Sequence, residues 1–159
     1  GALVIALGMV SQRAPGKYDA ALDSMGLHML VTDDDRARYL KNAFDALVPG
    51  APMLFYREAY RADTVEREIA DVEEWKALTG EDYDCAAPRT GLSANGGAVA
   101  VMIPLLPARA RGEAGYRAEM RNARFAIDRV LPLADNRQMC FGASIYARRP
   151  SDGAAGGND

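Results

Sequence analysis

The chain has 159 residues, a length typical of a single domain. Its net charge of −3 argues against a general nucleic-acid binder, which needs concentrated Lys and Arg to contact phosphates. No apolar run approaches the length of a membrane span, so we expect neither a nucleic-acid nor a membrane partner. Cys85 and Cys140 lack metal-ligand spacing, so no metal site is predicted, and they favour a reducing, cytoplasmic compartment.

The first part of the chain predicts strands of a parallel sheet. Leu3 to Leu7 is a short apolar run that Gly8 closes. A loop with Pro15 and Gly16 follows it. Tyr18 to Leu22 is apolar on both sides apart from Asp19, which favours a buried parallel strand over an alternating, half-exposed one.

A capped helix and a further strand come next. Thr32 is a good N-cap, and the acidic residues Asp33 to Asp35 suit the positive end of a helix dipole. The helix has a buried stripe at spacing i, i+3, i+4, i+7: Leu40, Ala43, Phe44 and Leu47. Pro49-Gly50 ends this helix, and Met53 to Tyr56 predicts the next buried strand.

The middle of the chain predicts a second helix and a hairpin. The helix runs from Ala62 to Leu78 with Trp75 on its buried face, where helical spacing favours a core position. An irregular stretch, Thr79 to Arg89, follows. Asn95-Gly96-Gly97 lies before the alternating run Val99 to Ile103, which is typical of a β-hairpin.

The last part predicts one helix and two strands. The helix covers Gly112 to Arg124, and a strand covers Phe125 to Leu131. A short turn leads to the final strand, Met139 to Arg148, which is therefore antiparallel to its predecessor. The Gly-, Ala- and Asp-rich tail, residues 150–159, is predicted to be disordered. The fold class is α/β, with a mostly parallel sheet and one antiparallel strand near the C-terminus.

Four segments in this order resemble the C-terminal portion of class I S-adenosylmethionine-dependent methyltransferases. YDAALDS, from Tyr18, is similar to the family's fourth strand. RYLKNAFDALVPGAPMLF, from Arg38, is similar to its next helix, Pro-Gly turn and fifth strand. YRAEMRNARFAI, from Tyr116, and ASIYARRP, from Ala143, are similar to its late helix, sixth strand and antiparallel seventh strand.

The resemblance implies a Rossmann-like domain over residues 1–149 that lacks the family's first strands. Leu3 to Val10 would correspond to the third strand, and the glycine-rich cofactor loop has no counterpart. Residues 79–111 would form an insertion or lid. The implied activity is methyl transfer from S-adenosylmethionine to a small-molecule acceptor. The alternative is a non-catalytic binding or oligomerisation module, such as a homodimer formed through an exposed sheet edge.

The resemblance also indicates site residues, since ligands of open α/β sheets lie beyond the carboxyl ends of the strands. Met9 and Val10 would contact adenine. The loop Asp23, Ser24, Met25 and Gly26 would border the methionine end, unless Asp23 only closes an Asx turn. His28, the single histidine, would be the general base or a group that orients the acceptor, or else a packed or solvated loop residue.

Five further residues are predicted to face the acceptor. Tyr56 and Arg57, together with Glu58, follow the fifth strand and would otherwise form a solvated strand end. Arg109 and Arg111 would bind an anionic acceptor through bidentate contacts, or else remain solvated loop charges.

Overall fold

The structure, a computed structural model, describes residues 2–5, 14–80, 83, 85–104, 106–133 and 142–152, with the backbone alone for residues 2–5, 92, 103 and 104. Its helices and strands are β1 (Ala2–Ile5), β2 (Ala20–Ser24), α1 (Asp33–Ala46), β3 (Pro52–Ala59), α2 (Val72–Thr79), β4 (Ala86–Leu92), β5 (Ala98–Pro104), α3 (Glu113–Asn122), β6 (Ala126–Pro132) and β7 (Gly142–Arg148).

The main sheet has five strands in the order β1-β2-β3-β7-β6. The first three strands are parallel to one another, and β7 is antiparallel to both of its neighbours. Within the described residues, β7 is therefore the single reversed strand, which confirms the predicted fold class. Met139 and the predicted tail beyond Asp152 lie outside the described residues.

β1 does not take the position expected of a third strand. In the usual doubly wound order, 3-2-1-4-5-6, the fourth strand pairs with the first. Here β1 pairs directly with β2, the counterpart of the fourth strand, in the register Ala2 to Ala20 through Ile5 to Asp23. The physical reason is that the N–H and C=O groups along the edge of β2 need partners, and β1 supplies them.

The helix α1 forms where the sequence predicts it. The Thr32 Oγ1 accepts a hydrogen bond from the backbone N–H of Asp35 at 3.2 Å, which caps the first turn. Its apolar side packs on the sheet together with α3, and the core contains Phe44, Phe55 and Phe125. The Phe125 ring meets the other two edge to face, at centroid distances of 5.2 and 6.0 Å.

The second predicted helix is shorter than expected, and its start was wrong. α2 begins only at Val72, because the Asp71 side chain accepts a hydrogen bond from the Glu74 N–H at 2.8 Å and caps the helix there. The preceding residues, 64–70, are irregular, and contacts of Glu66, Arg67 and Ile69 with distant residues hold them in place. No residue of α2 is buried, and Trp75 is half-buried, so its predicted core position was also wrong.

The predicted hairpin is confirmed as a separate two-stranded sheet of β4 and β5. Gly96 turns it with a φ of 77°, a left-handed conformation that glycine adopts without strain. A parallel bridge joins Tyr60 to Arg111, so residues 61–110 leave and rejoin the domain at one place. We call this segment the excursion. Among the described residues, no helix has both the length and the apolar character needed to cross a membrane.

Candidate functional site

The candidate site lies where β2 and β3 end. Asp23 is next to last in β2, and Glu58 is next to last in β3. Both side chains are fully buried on the side of the sheet that carries the core. Two buried carboxylates beside each other are costly in free energy, because burial penalises each charge and the charges repel. This arrangement therefore marks a candidate functional site.

A β-bulge turns Glu58 inward. Phe55 pairs with Ile145, whereas Glu58 pairs with Ala143, so β3 has one residue more than β7 between these pairs. Arg57 lies in this bulge, and its φ of 59° is in the left-handed region. Simple alternation from the buried Phe55 would turn Glu58 towards the opposite face, and the bulge reverses that direction. Bulges commonly re-aim side chains at functional sites in this way.

Asp23 closes the loop after β2. Its Oδ1 accepts a hydrogen bond from the Gly26 N–H at 2.9 Å, and its Oδ2 accepts one from the Leu27 N–H at 2.9 Å. The Asx-type turn considered from the sequence is therefore present. Burial raises the pKa of Asp23 from 3.8 to about 7, and the charge of Glu58 contributes to the rise.

We expect Asp23 to make the protein less stable as pH rises. Because the pKa of Asp23 is about 7 in the folded state and 3.8 ordinarily, its stabilising contribution is complete below the lower value and is lost as pH rises through the upper one. The expected loss is roughly 2–4 kcal/mol. Urea unfolding between pH 4 and pH 8 measures it.

Asp23→Asn should flatten this dependence, and the exposed control Asp63→Asn should retain it. Equal pH profiles for wild type and Asp23→Asn would contradict the assignment.

Gly26 leaves space that the Asp23 carboxylate occupies. A Cβ built on Gly26 would lie 2.3 Å from the Asp23 Oδ1, well inside contact distance. We therefore expect Gly26→Ala to disrupt the turn and to cost roughly 1–3 kcal/mol of unfolding free energy. Gly91→Ala is the matched control, because the nearest atom to its Cβ would be 3.9 Å away. Equal denaturation midpoints for the two variants would show that the turn after β2 accommodates the added Cβ with no loss of unfolding free energy, which would contradict this prediction.

His28 is fixed by Glu58 at two points. The Glu58 Oε2 lies 2.8 Å from the His28 Nδ1, and it accepts the His28 backbone N–H at 2.8 Å as well. His28 is 5% exposed. Because a carboxylate accepts but does not donate, the neutral ring carries its proton on Nδ1 and leaves the Nε2 lone pair as a base. The structure thus brings the predicted base together with Asp23 and Gly26.

One buried polar atom at this place has no hydrogen-bond partner within the described residues: the second carboxylate oxygen of Glu58, Oε1. The buried Tyr39 hydroxyl interacts with the carboxyl group of Asp23. Burial raises the pKa of Tyr39, and the neighbouring Asp23 raises it further, so the phenol stays neutral. Unpartnered buried atoms like the Glu58 Oε1 are uncommon and call for an explanation, such as a ligand.

The other residues predicted at this edge are more exposed. Ser24 and Tyr56 are neighbours in register, and Tyr56 is 41% exposed. The Met25 N–H donates to the Tyr56 carbonyl at 3.0 Å, which ties the loop after β2 to β3. The guanidinium of Arg57 lies 5.7 Å from the centre of the Tyr56 ring. The burial patterns of β2 and β3 place the Ser24 and Tyr56 side chains on the exposed face of the sheet, opposite Asp23 and Phe55. Met9 and Val10 lie outside the described residues.

Arg109 and Arg111 are neither solvated nor free to bind an acceptor as predicted. Arg109 is 2% exposed, and its NH1 contacts the Val31 carbonyl at 2.6 Å and the Asp33 Oδ2 at 3.0 Å. Arg111 donates to three carboxylates at 2.7 Å each: Asp33, Glu66 and Glu119. The sequence interpretation missed this because the partners come from distant segments. The two residues join the excursion to α1 and α3.

Glu119 extends this cluster to a further arginine. Arg36, which is 1% exposed, donates to Glu119 through Nε at 2.7 Å and through NH2 at 2.8 Å. Its NH1 donates to the carbonyls of Leu27 and Leu30 at 2.9 Å each. Although burial disfavours the charged form, Glu119 raises the pKa of Arg36 above its usual range. Arg36 thus holds the backbone on both sides of His28.

A cleft of about 510 Å³ lies elsewhere, between α1 and α3. It has an apolar floor that includes Leu40 and Phe44, and charged residues at its rim. Asp23, His28 and Glu58 do not line it. The cleft is therefore separate from the buried carboxylates.

Comparison with known proteins gives matches in structure. No protein-family model matches the sequence, and no curated protein matches it either. A 1,6-didemethyltoxoflavin-N1-methyltransferase from Burkholderia thailandensis, solved with S-adenosylhomocysteine, matches with a TM-score of 0.56 at 13% identity. That match covers 90% of this chain and 48% of the Burkholderia enzyme, so the chain spans about half its length.

Three further structures extend the comparison. A SAM-dependent methyltransferase from Methanosarcina mazei matches with a TM-score of 0.55 at 18% identity, covering 94% of this chain and 67% of that one. The chain has the fold of class I SAM-dependent methyltransferases. LepI, solved with S-adenosylhomocysteine and a substrate analogue, matches with a TM-score of 0.52 at 11% identity, covering 88% of this chain and 28% of LepI. A matching structure with the same score and identity is described as a pericyclic reaction enzyme.

Proposed function

We propose that the chain carries out S-adenosylmethionine-dependent methyl transfer to a small-molecule acceptor, with His28 as the general base. The observation that carries the proposal is the contact of 2.8 Å between the His28 Nδ1 and the Glu58 Oε2, buried at the ends of two parallel strands. The fold supports it, because neighbours of this fold are named as SAM-dependent methyltransferases.

The proposed role of His28 follows from its tautomer. With the proton on Nδ1 held by Glu58, the Nε2 lone pair removes a proton from an acceptor O–H or N–H group. The positive charge that then forms on the ring is stabilised by the Glu58 carboxylate 2.8 Å away. Glu58 also keeps the ring in one orientation, because it accepts the backbone N–H of the same residue.

The residues at the site fit a cationic ligand. S-adenosylmethionine supplies an electrophilic methyl group on a positively charged sulfur. The unpartnered Oε1 of Glu58 and the carboxyl group of Asp23 are suitable neighbours for a positive charge or a hydrogen-bond donor. We propose that the loop from Asp23 to Gly26 borders the methionine end and that Tyr56 and Arg57 face the acceptor. Contact of Met9 and Val10 with adenine remains part of the proposal.

The test is an acceptor screen. The chain is incubated with S-adenosylmethionine and a panel of phenols, enols and heterocycles with acidic N–H groups, and methylated product and S-adenosylhomocysteine are both quantified. The proposal predicts equal amounts of the two with at least one acceptor. Conversion of a compound without S-adenosylhomocysteine would instead indicate chemistry of the kind named for the pericyclic neighbour. His28→Ala should abolish the methylated product.

The second candidate function is a binding or oligomerisation module, and one observation favours it. The hairpin β4–β5 exposes apolar side chains: Val99 is 39% exposed, Val101 is 40% exposed and Met102 is 64% exposed. An isolated two-stranded sheet of this kind is marginally stable and offers free edges for pairing. Sedimentation, combined with the acceptor screen, distinguishes the two candidate functions. A monomer that methylates an acceptor supports the enzyme, whereas an oligomer without activity supports the module. A cytoplasmic location remains part of the first proposal. A homodimer formed through an exposed sheet edge remains part of the second.

A further inference from the structure

The backbone of His28 is held on both sides. Its N–H donates to Glu58 at the end of β3, at 2.8 Å. Its carbonyl accepts the backbone N–H of Arg109, also at 2.8 Å. Glu58 belongs to the sheet, whereas Arg109 belongs to the returning end of the excursion. The short 3-10 turn Leu27–Met29 that carries His28 is therefore clamped between two separate parts of the fold.

The side chain of Arg109 reinforces this clamp. Its NH1 donates to the carbonyl of Val31 and to the Oδ2 of Asp33, both just beyond the His28 turn. Its NH2 donates to the carbonyl of Arg67, at the outgoing end of the excursion. One residue thus links the His28 turn, the start of α1 and the excursion. A guanidinium suits this role because it has five donors in a fixed plane.

A second contact ties the same segment to the strand that carries Glu58. The Arg111 N–H donates to the Ala59 carbonyl at 3.4 Å, and the Arg61 N–H donates to the Arg111 carbonyl at 3.2 Å. Because Ala59 follows Glu58 directly, residues 109–111 contact both partners of the His28–Glu58 pair. A displacement of this segment would therefore change the distance between the two side chains.

We propose that Arg109 is a positioning residue that sets the alignment of His28 against Glu58, and that it makes this alignment depend on the excursion. The inference rests on the proposed function only in taking His28 as the base. Its geometry does not depend on the identity of the acceptor.

The test uses the fact that His28 is the only histidine of the chain. Long-range proton–nitrogen NMR then gives a single pair of ring nitrogen signals, which report the tautomer. In the wild type we expect a protonated Nδ1 and an unprotonated Nε2. In Arg109→Met we expect the large shift difference between the two nitrogens to collapse towards an average, as the ring exchanges between tautomers. Arg109→Lys should restore part of it.

The control is Arg117→Met, which removes an exposed arginine paired with Glu113 on α3. It should leave the ring signals as they are in the wild type. A folded Arg109→Met with unchanged ring signals would overturn the proposal and leave Arg109 as a purely structural ion-pair residue. With an acceptor in hand, Arg109→Met should lower kcat by about tenfold to a hundredfold with little change in KM.

One measurement needs no variant. The scalar coupling across the hydrogen bond from the Arg109 N–H to the His28 carbonyl is detectable in the wild type if the clamp exists, and its absence would overturn the proposal. The experiments also distinguish a failure of the proposed methyl transfer from a failure of the proposed role of Arg109. A negative acceptor screen with responsive ring signals counts against methyl transfer alone, whereas a catalytic His28 with unresponsive signals counts against the role of Arg109.

Discussion

Glu58→Gln is expected to lower kcat by roughly 10²–10⁴-fold. The His28 backbone N–H and the ring Nδ1 both contact the same Glu58 oxygen, Oε2, so the amide oxygen of glutamine can take that position and accept both groups. The tautomer with the proton on Nδ1 is then kept. The amide lacks the negative charge that stabilises the protonated ring, and this loss lowers kcat. Steady-state kinetics with an acceptor from the screen measures kcat, and ring nitrogen NMR reports the tautomer.

The matched control is Glu73→Gln on α2, where the same substitution affects a side chain that is 80% exposed and pairs with Lys76 on the surface. Its kcat should equal that of the wild type. Wild-type kcat in Glu58→Gln, with the Nδ1 proton still in place, would remove Glu58 from the catalytic arrangement and leave the buried pair without a function.

Arg36→Met is expected to cost roughly 3–5 kcal/mol of unfolding free energy. Methionine fills much of the same volume, but it removes two hydrogen bonds to Glu119 and one hydrogen bond each to the carbonyls of Leu27 and Leu30. The Leu27 carbonyl then retains only the backbone N–H of Leu30 among the donors that the structure describes. Breaking a buried ion pair on one side is costly because the remaining charge stays in a poorly solvating environment. Urea denaturation at constant pH measures the loss.

Arg38→Met is the control, two residues further along the same helix. The Arg38 side chain is 55% exposed and lies 3.7 Å from Asp35, so its removal should change the unfolding free energy by less than about 0.5 kcal/mol. If both variants lost the same small amount, the cluster of Arg36, Arg111 and Glu119 would not stabilise the fold as argued.

Elements with strong local signals were predictable from the sequence. The Thr32 cap and the apolar stripe defined α1, and Asn95-Gly96-Gly97 defined the hairpin, because each depends on residues close together in the chain. The single reversed strand followed from the short connection before β7 and from the resemblance. The predicted start of the second helix was wrong for a related reason. The local cap at Asp71 sets the first residue of α2, although the helical pattern extends further towards the N-terminus.

The candidate site was predictable only in part. Asp23 and His28 follow a predicted strand, so the rule for strand ends identified them. The direction of Glu58 depends on a bulge at Arg57, which alternation alone does not reveal. The burial of Arg109 and Arg111 depends on Asp33, Glu66 and Glu119, whose distance in sequence hides the pairing. Long-range electrostatic pairing and a one-residue change of register therefore account for what the sequence did not show.

Calorimetric titration of the chain with S-adenosylhomocysteine tests the central claim most directly, because methyl transfer at this site requires that the chain bind the product of the methyl donor. The account predicts saturable binding, with affinity that weakens in Asp23→Asn and stays unchanged in the exposed control Asp63→Asn. A folded chain that releases no heat of binding at any concentration of S-adenosylhomocysteine would contradict the claim that these residues form a methyl-donor site.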